Sequence, residues 1–102
     1  MCGISGFSGF GNTINPRLII EKMCSVLNHR GPDNKNYYVD SNKEIALGHN
    51  RLSIIDLSNQ ANQPMFSSDK KKIIIFNGEI YNFLELKEEL KKYAKENNKK
   101  FV

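Results

Sequence analysis

The glycine-rich segment at the start of the chain, MCGISGFSGF, places the strongest constraint on the fold. Small and apolar residues alternate loosely over positions 3–8, which predicts a strand, and glycines within a strand leave little side-chain volume beside it. We therefore expect a buried strand that another element approaches closely. Chain termini usually fray, so Cys2, directly before this strand, is either incidental or part of a functional site.

The composition indicates one globular domain without a metal site. The chain has 102 residues with 39% apolar content. It contains no run of about 18 apolar residues and no basic flank before an apolar run, so we expect a cytoplasmic protein that binds no membrane. Cys2 and Cys24 belong to no zinc-binding pattern, which predicts free thiols.

The net charge of +4 comes largely from lysines in the segment 69–72 and near the C-terminus. No arginine cluster or aromatic RNA-binding pattern accompanies these lysines. They are therefore more typical of a solvated surface than of a nucleic-acid interface, and we expect no nucleic-acid partner.

The first half of the chain predicts a helix followed by two strands. Asn15 provides an acceptor for the helix N-cap, Pro16 suits the first helical position, and the helix is expected to stop at Gly31-Pro32. The segments NYYVD and EIALGHN predict strands on either side of the turn SNK. The apolar positions that recur at helical spacing are Ile19, Ile20, Met23, Val26 and Leu27.

The second half predicts a shaped loop in RLSIIDLSNQANQPM, a strand in KKIIIF and a second helix. Asn77-Gly78 is a strong turn signal, and Asn82 with Glu85 predicts a capping box at the start of that helix. The helix should end at Asn97-Asn98, and positions 101–102 resemble the start of another strand. The resulting order, β-α-β-β-β-α with short links, favours the α+β class with antiparallel sheet. The predicted apolar stripe of the second helix consists of Phe83, Leu86, Leu90 and Tyr93.

The position of Cys2 suggests a chemical role for the N-terminus. Removal of Met1 would leave Cys2 with both a thiol and a free α-amine. Because an α-amine has a pKa of about 7.7–8.0, it can act as a base at neutral pH without a histidine. A thiol needs only modest activation to become a nucleophile. The alternative is that a cysteine at this position is incidental.

Three further sites could support such a nucleophile. Asn77 and Gly78 offer a carboxamide and a backbone N–H to a developing oxyanion, although the same pair can simply form a hairpin turn. Arg51, at the end of a predicted strand, could bind a carboxylate through two hydrogen bonds, or form a surface ion pair. Glu79 could bind a substrate ammonium, or be an ordinary surface charge.

Together these segments resemble one family. MCGISGF, HRGPD, GHNRLSIIDLS, QPM and NGEIYN occur in this order and are similar to the class II glutamine amidotransferase domain of glutamine-hydrolysing asparagine synthetases. The resemblance covers the whole chain. It implies an N-terminal-nucleophile hydrolase fold, a four-layer αββα sandwich with two antiparallel sheets between helices, which residues 1–102 would contain only in part.

The resemblance also implies a reaction and a set of site residues. Cys2 would attack the side-chain amide of L-glutamine, Asn77 and Gly78 would form the oxyanion hole, and Glu79 would help to fix the substrate. Arg51 would bind the glutamine α-carboxylate. The same pocket would be lined by the residues that follow it, Leu52, Ser53, Ile54 and Ile55.

HRGPD is expected to have a supporting role, in which His29, Arg30 and Asp33 tie the loop behind the nucleophile. Cys24 should be a small buried hydrophobe, and His49 should pack or cap. The family pattern continues beyond position 102 with an aspartate that binds the substrate ammonium, so we expect a fragment of the domain.

The wider implications of the resemblance concern the complete protein. A synthetase domain, in the same or a separate chain, would use ATP and Mg²⁺ to transfer ammonia to aspartate, and the complete protein could be a homodimer. No cofactor is expected within these residues. The alternatives are a related amidotransferase with a different ammonia acceptor and a non-catalytic module that binds glutamine or a partner chain.

Overall fold

The computed structural model describes residues 2–53 and 61–100, which form two helices and two antiparallel sheets. This arrangement confirms the predicted α+β class. None of the described helices is both long enough and apolar enough to cross a membrane. The elements in chain order are β1 (Gly3–Ser8), α1 (Pro16–Val26), β2 (Asn34–Asp40), β3 (Ile45–Arg51), β4 (Met65–Phe66), β5 (Ile73–Ile74) and α2 (Phe83–Glu96).

The larger sheet has three strands in the order β1-β3-β2, and both pairings are antiparallel. The register aligns Gly3 with Asn50 and Asn34 with Arg51. The start of β1, the start of β2 and the end of β3 therefore lie at one end of the sheet. Cys2, which directly precedes β1, is at this same end.

Helix α1 begins as predicted, because the Asn15 side chain accepts a hydrogen bond from the backbone N–H of Leu18 at 3.3 Å and Pro16 opens the helix. Its predicted end at Gly31-Pro32 is wrong, since the helix stops at Val26. Tight turns replace the helical hydrogen bonds after that residue. The N–H of Leu27 bonds to the carbonyl of Cys24, and the N–H of Arg30 bonds to the carbonyl of Leu27.

The face of α1 that packs on the sheet is centred on Ile20 and Cys24, which are both fully buried. The predicted burial of Cys24 is confirmed, whereas Val26, included in the predicted stripe, is 75% exposed. Gly48 of β3 explains the close approach, because a Cβ atom there would overlap Cys24 Sγ and lie 2.7 Å from Ser5 Oγ. Partly buried residues complete this core, namely Phe7, Phe10, Met23, Tyr37 and Val39.

Strand β1 is less buried than predicted. Burial alternates along it, with Gly3 buried and Ile4 47% exposed. The physical reason is that β1 lies at the edge of the sheet and that α1 covers one face only, so the side chains that point away from α1 remain accessible.

The second sheet is a short hairpin of β4 and β5, in which Met65 pairs with Ile74 and Phe66 pairs with Ile73. The predicted strand in KKIIIF is confirmed for two residues only, and β4 was not predicted because two residues give no alternating pattern. An edge-to-face contact between the rings of Phe66 and Tyr38, with centroids 5.3 Å apart, joins this hairpin to β2.

Helix α2 follows Asn82 at its N-cap and ends at Glu96, with Asn97 as its C-cap, which agrees with the predicted end at Asn97-Asn98. Asn82 makes no side-chain capping bond, so the predicted capping box is absent. The predicted apolar stripe of α2 is not buried against the rest of the described residues. Ala94 is the only residue of the helix that is buried among the described residues. The stripe residues Phe83, Leu86, Leu90 and Tyr93 are all between 39% and 58% exposed.

Replacing Gly48 with alanine should destabilise the protein, because the added methyl group would overlap Cys24 Sγ in the core. We expect a loss of about 1–3 kcal/mol in the free energy of unfolding, which is typical of overpacking. Urea unfolding monitored by circular dichroism measures this. In the background of Cys24→Ala, where the sulfur is missing, the same substitution should cost less. Equal costs in both backgrounds would contradict the close contact.

Candidate functional site

Cys2 is held at the end of the larger sheet, beside the residue that follows β3. Its Sγ atom accepts a hydrogen bond from the backbone N–H of Leu52 at 3.4 Å and lies 3.9 Å from the carbonyl oxygen of Leu52. Its own carbonyl oxygen accepts a hydrogen bond from Arg30 Nε at 3.1 Å. Both thiols of the described residues are free, and Cys2 is the more accessible of the two.

The loop after α1 contacts the same end of the sheet. The backbone N–H of Asp33 donates to the carbonyl of Arg51 at 3.0 Å, and Asp33 Oδ2 accepts the N–H of Ser53 at 2.7 Å. Gly31 allows this approach, because a Cβ atom there would overlap the backbone of Asn50. These bonds hold the loop against the backbone that continues from β3.

His29 contacts a different part of the loop from Arg30 and Asp33. It is exposed, and its Nδ1 atom lies 3.1 Å from the carbonyl oxygen of Val26, at the end of α1. Within the HRGPD segment, His29 therefore contacts the end of α1, whereas Arg30 and Asp33 contact the Cys2 end of the sheet.

Arg51 is the last residue of β3, as predicted, and is only 6% exposed. Its Nη1 atom donates to Asn62 Oδ1 at 2.7 Å. A buried guanidinium beside the Cys2 end of the sheet can bind a carboxylate at low cost in side-chain entropy. Ile54 and Ile55, which were predicted to line the same pocket, lie outside the described residues.

His49 is fully buried on β3, two residues before Arg51, and its Nε2 atom lies 3.3 Å from the carbonyl oxygen of Phe76. A carbonyl only accepts, so Nε2 carries the proton. Burial lowers the pKa of His49 from its ordinary value of 6.5, the hydrogen bond to Phe76 opposes this shift, and the charge of Arg51 adds to it. The Nδ1 atom has no partner among the described residues.

Asn77, Gly78 and Glu79 follow Phe76 directly and are exposed. Within the described residues, none of the three forms a hydrogen bond to Cys2. The structure therefore connects this turn to the end of β3 through Phe76 and His49. The sequence analysis predicted no role for Asn62 or Gln63. The one indication for Gln63 was its place in the QPM segment, which is part of the family resemblance.

No three His, Cys, Asp or Glu side chains in residues 2–53 and 61–100 are grouped so that they could hold a metal ion. The polar groups at the end of the sheet are a thiol, guanidinium groups, an imidazole, a carboxylate, amides and backbone groups. Such a set can bind a polar organic substrate and present a nucleophile to it.

A family described as a glutamine amidotransferase domain matches residues 1–100 of the chain. Curated relatives from several organisms match most of the chain. The chain is 42% identical to a Bacillus subtilis glutamine-hydrolysing asparagine synthetase, over 88% of the chain. It is also 42% identical, over 86% of the chain, to a Methanocaldococcus jannaschii protein whose name gives the same activity provisionally.

A third relative has a different name. The amidase chry2 of Gibberella zeae is 37% identical over 88% of the chain. The matched regions make up only 14–20% of the lengths of these three relatives. No solved structure shows a significant match to the chain.

The lowered pKa of His49 should make stability depend on pH. The unfolded chain, in which histidine titrates near 6.5, binds a proton more readily than the folded protein does. We therefore expect the free energy of unfolding to fall as the pH drops below about 6.5 and to level off below the folded-state pKa. Urea unfolding between pH 5 and 8 measures the slope. His49→Gln should flatten the slope, and an unchanged slope in that variant would contradict the assignment.

Proposed function

Because the chain belongs to the glutamine amidotransferase domain family, we propose that it hydrolyses the side-chain amide of glutamine with Cys2 as the nucleophile. The observation that supports this proposal best is the position of Cys2. The antiparallel register and the Leu52 N–H···Sγ contact of 3.4 Å bring it to the end of β3 that also carries the buried Arg51.

The proposed reaction begins after removal of Met1. The α-amine of Cys2 takes the thiol proton, and the sulfur attacks the side-chain carbonyl carbon of glutamine. The C–S bond forms, the C–N bond breaks, and the proton moves from the amine to the departing nitrogen, which leaves as ammonia. Water then attacks the thioester, which releases glutamate and restores the thiol.

Substrate binding and charge stabilisation are assigned to two other parts of the site. Arg51 is proposed to bind the α-carboxylate of glutamine through charge-assisted hydrogen bonds, and Glu79 is proposed to contact the α-ammonium. Asn77 and Gly78 are proposed to donate a carboxamide N–H and a backbone N–H to the oxyanion. Arg30 and Asp33 support this assembly through their bonds to Cys2 and Ser53.

The ammonia is proposed to serve a synthetase reaction in the complete protein, with aspartate as the acceptor. This part of the proposal rests on the name of the Bacillus subtilis relative. A related amidotransferase with a different acceptor is the second candidate, because the family match covers the glutamine amidotransferase domain and names no acceptor. Analysis of the amidated product formed by the complete gene product distinguishes the two. We further propose that the two sheets and α1 form part of a four-layer sandwich.

Cys2→Ala should abolish the release of glutamate from glutamine, because it removes the atom that forms the thioester. The measurement is a coupled glutamate assay on the complete gene product, with mass spectrometry to establish that Met1 is absent. Cys24→Ala is the matched control, since Cys24 is a free thiol that is fully buried. It should keep activity while losing some stability. Turnover by Cys2→Ala above the background rate would exclude the proposed nucleophile.

Arg51→Lys should raise the KM for glutamine far more than it lowers kcat. Lysine keeps the charge but loses the paired hydrogen bonds, which are worth about 1.5–3 kcal/mol or about ten- to a hundred-fold in KM. Steady-state kinetics measure both constants. Asn62→Ala serves as the comparison, because it removes the Nη1 contact of Arg51 but leaves the guanidinium in place, and we expect a smaller increase in KM. An unchanged KM in Arg51→Lys would contradict the assigned role.

A further inference from the structure

Two side chains from separate parts of the chain hold the backbone of Phe76. Gln63 Oε1 accepts the N–H of Phe76 at 2.6 Å, and His49 Nε2 donates to its carbonyl oxygen at 3.3 Å. Both backbone polar groups of this residue are therefore bonded to side chains. Phe76 lies outside the short ladder between β4 and β5. The two side-chain bonds therefore take the place of the backbone hydrogen bonds that a neighbouring strand would form with it.

The ring of Phe76 extends this restraint to Gly78. A Cβ atom at Gly78 would lie 2.9 Å from Cζ of Phe76 and 3.4 Å from two further ring atoms. The ring thus lies against the backbone of Gly78, at a separation that only glycine accommodates without a shift. Because Gly78 follows Phe76 by only two residues, fixing the backbone of Phe76 fixes the point from which the turn at Asn77-Gly78 starts.

His49 is well suited to act as the fixed end of this contact. It is fully buried on the central strand of the sheet, two residues before Arg51. Its position is therefore set by the same strand that carries the proposed carboxylate-binding residue. A hydrogen bond from His49 to Phe76 accordingly ties the turn at Asn77-Gly78 to the frame of the substrate site.

We infer that His49 and Gln63 are positioning residues, which hold the proposed oxyanion-binding turn at Asn77-Gly78 by fixing the backbone of Phe76. This inference rests on the proposed glutamine hydrolysis for its effect on rate, but the restraint on the turn can be measured without activity. Neither residue needs to touch the substrate. Their effect would be on the geometry of the donors that stabilise the transition state.

The test uses His49→Phe and Gln63→Met in the complete gene product, because both keep side-chain size and remove the bonding atom. We expect kcat for glutamine to fall about ten- to a hundred-fold, in line with displaced oxyanion donors, and KM to change less than about twofold. His49→Gln and Gln63→Glu restore a donor and an acceptor and should recover part of kcat. The double variant His49→Phe/Gln63→Met should lose less than the product of the single losses, because both bonds act on Phe76.

Two readouts separate positioning from general damage. Alkylation of Cys2 by iodoacetamide involves no oxyanion, so its rate should stay within about twofold of wild type. Hydrogen–deuterium exchange of a peptide covering residues 76–79 should become faster in both variants. The matched control is Cys24→Ala, which removes a fully buried side chain from the packing of α1 on the sheet, away from the Cys2 end. It should lower stability without lowering kcat at a temperature where it is folded.

Each outcome has one meaning. Unchanged kcat in His49→Phe and Gln63→Met, or unchanged exchange of residues 76–79, would overturn the inference. So would a parallel fall in kcat and in the alkylation rate, which would indicate collapse of the site. If wild type releases no glutamate but exchange still accelerates in the variants, the proposed function fails while the restraint on the turn stands.

Discussion

The antiparallel pairing of β1 with β3 is the interaction on which the rest of the structure depends. It aligns Gly3 with Asn50, and so places an N-terminal cysteine beside a backbone segment that the chain reaches only fifty residues later. Without this pairing Cys2 would be a frayed terminus. With it, one N–H of Leu52 and one guanidinium of Arg30 are enough to hold the residue at both its sulfur and its carbonyl.

Two glycines let other elements of the fold approach this sheet closely. Gly48 lets α1 lie against the centre of the sheet, with Cys24 Sγ in the space that a Cβ atom would take. Gly31 lets the loop after α1 approach the backbone of Asn50.

The sequence was informative where a local signal determines structure. Asn15 and Pro16 identified the start of α1. The strand that ends at Arg51 was predicted because its residues form a run typical of a strand, next to a turn signal. It failed where the outcome depends on distant partners. The tight turns after Val26 replaced the expected helix, and the apolar stripe of α2, whose spacing is regular, is exposed because spacing alone does not supply a surface to pack on.

The same distinction applies to the site. Cys2, Arg51 and the Asn77-Gly78 turn are recognisable as residue types suited to acyl chemistry, but nothing local in the sequence indicates that Gln63 and His49 would meet at Phe76. Their bonds require residues that are distant in the sequence to lie close together in the fold. A hydrogen bond between a side chain and a distant backbone group has no periodicity, so it becomes visible only once the strands are in register.

The end of β3 also carries polar side chains whose burial is costly. His49, Asn50 and Arg51 are consecutive, buried and polar, on a strand where apolar residues would pack at less cost. Nδ1 of His49 and Oδ1 of Asn50 have no hydrogen-bond partner among the described residues. Packing alone would select against such a run. The run lies beside Cys2, and each of its residues bonds to another element: Asn50 to α1, Arg51 to Asn62 and His49 to Phe76. A polar strand end of this kind is consistent with the requirements of a functional site.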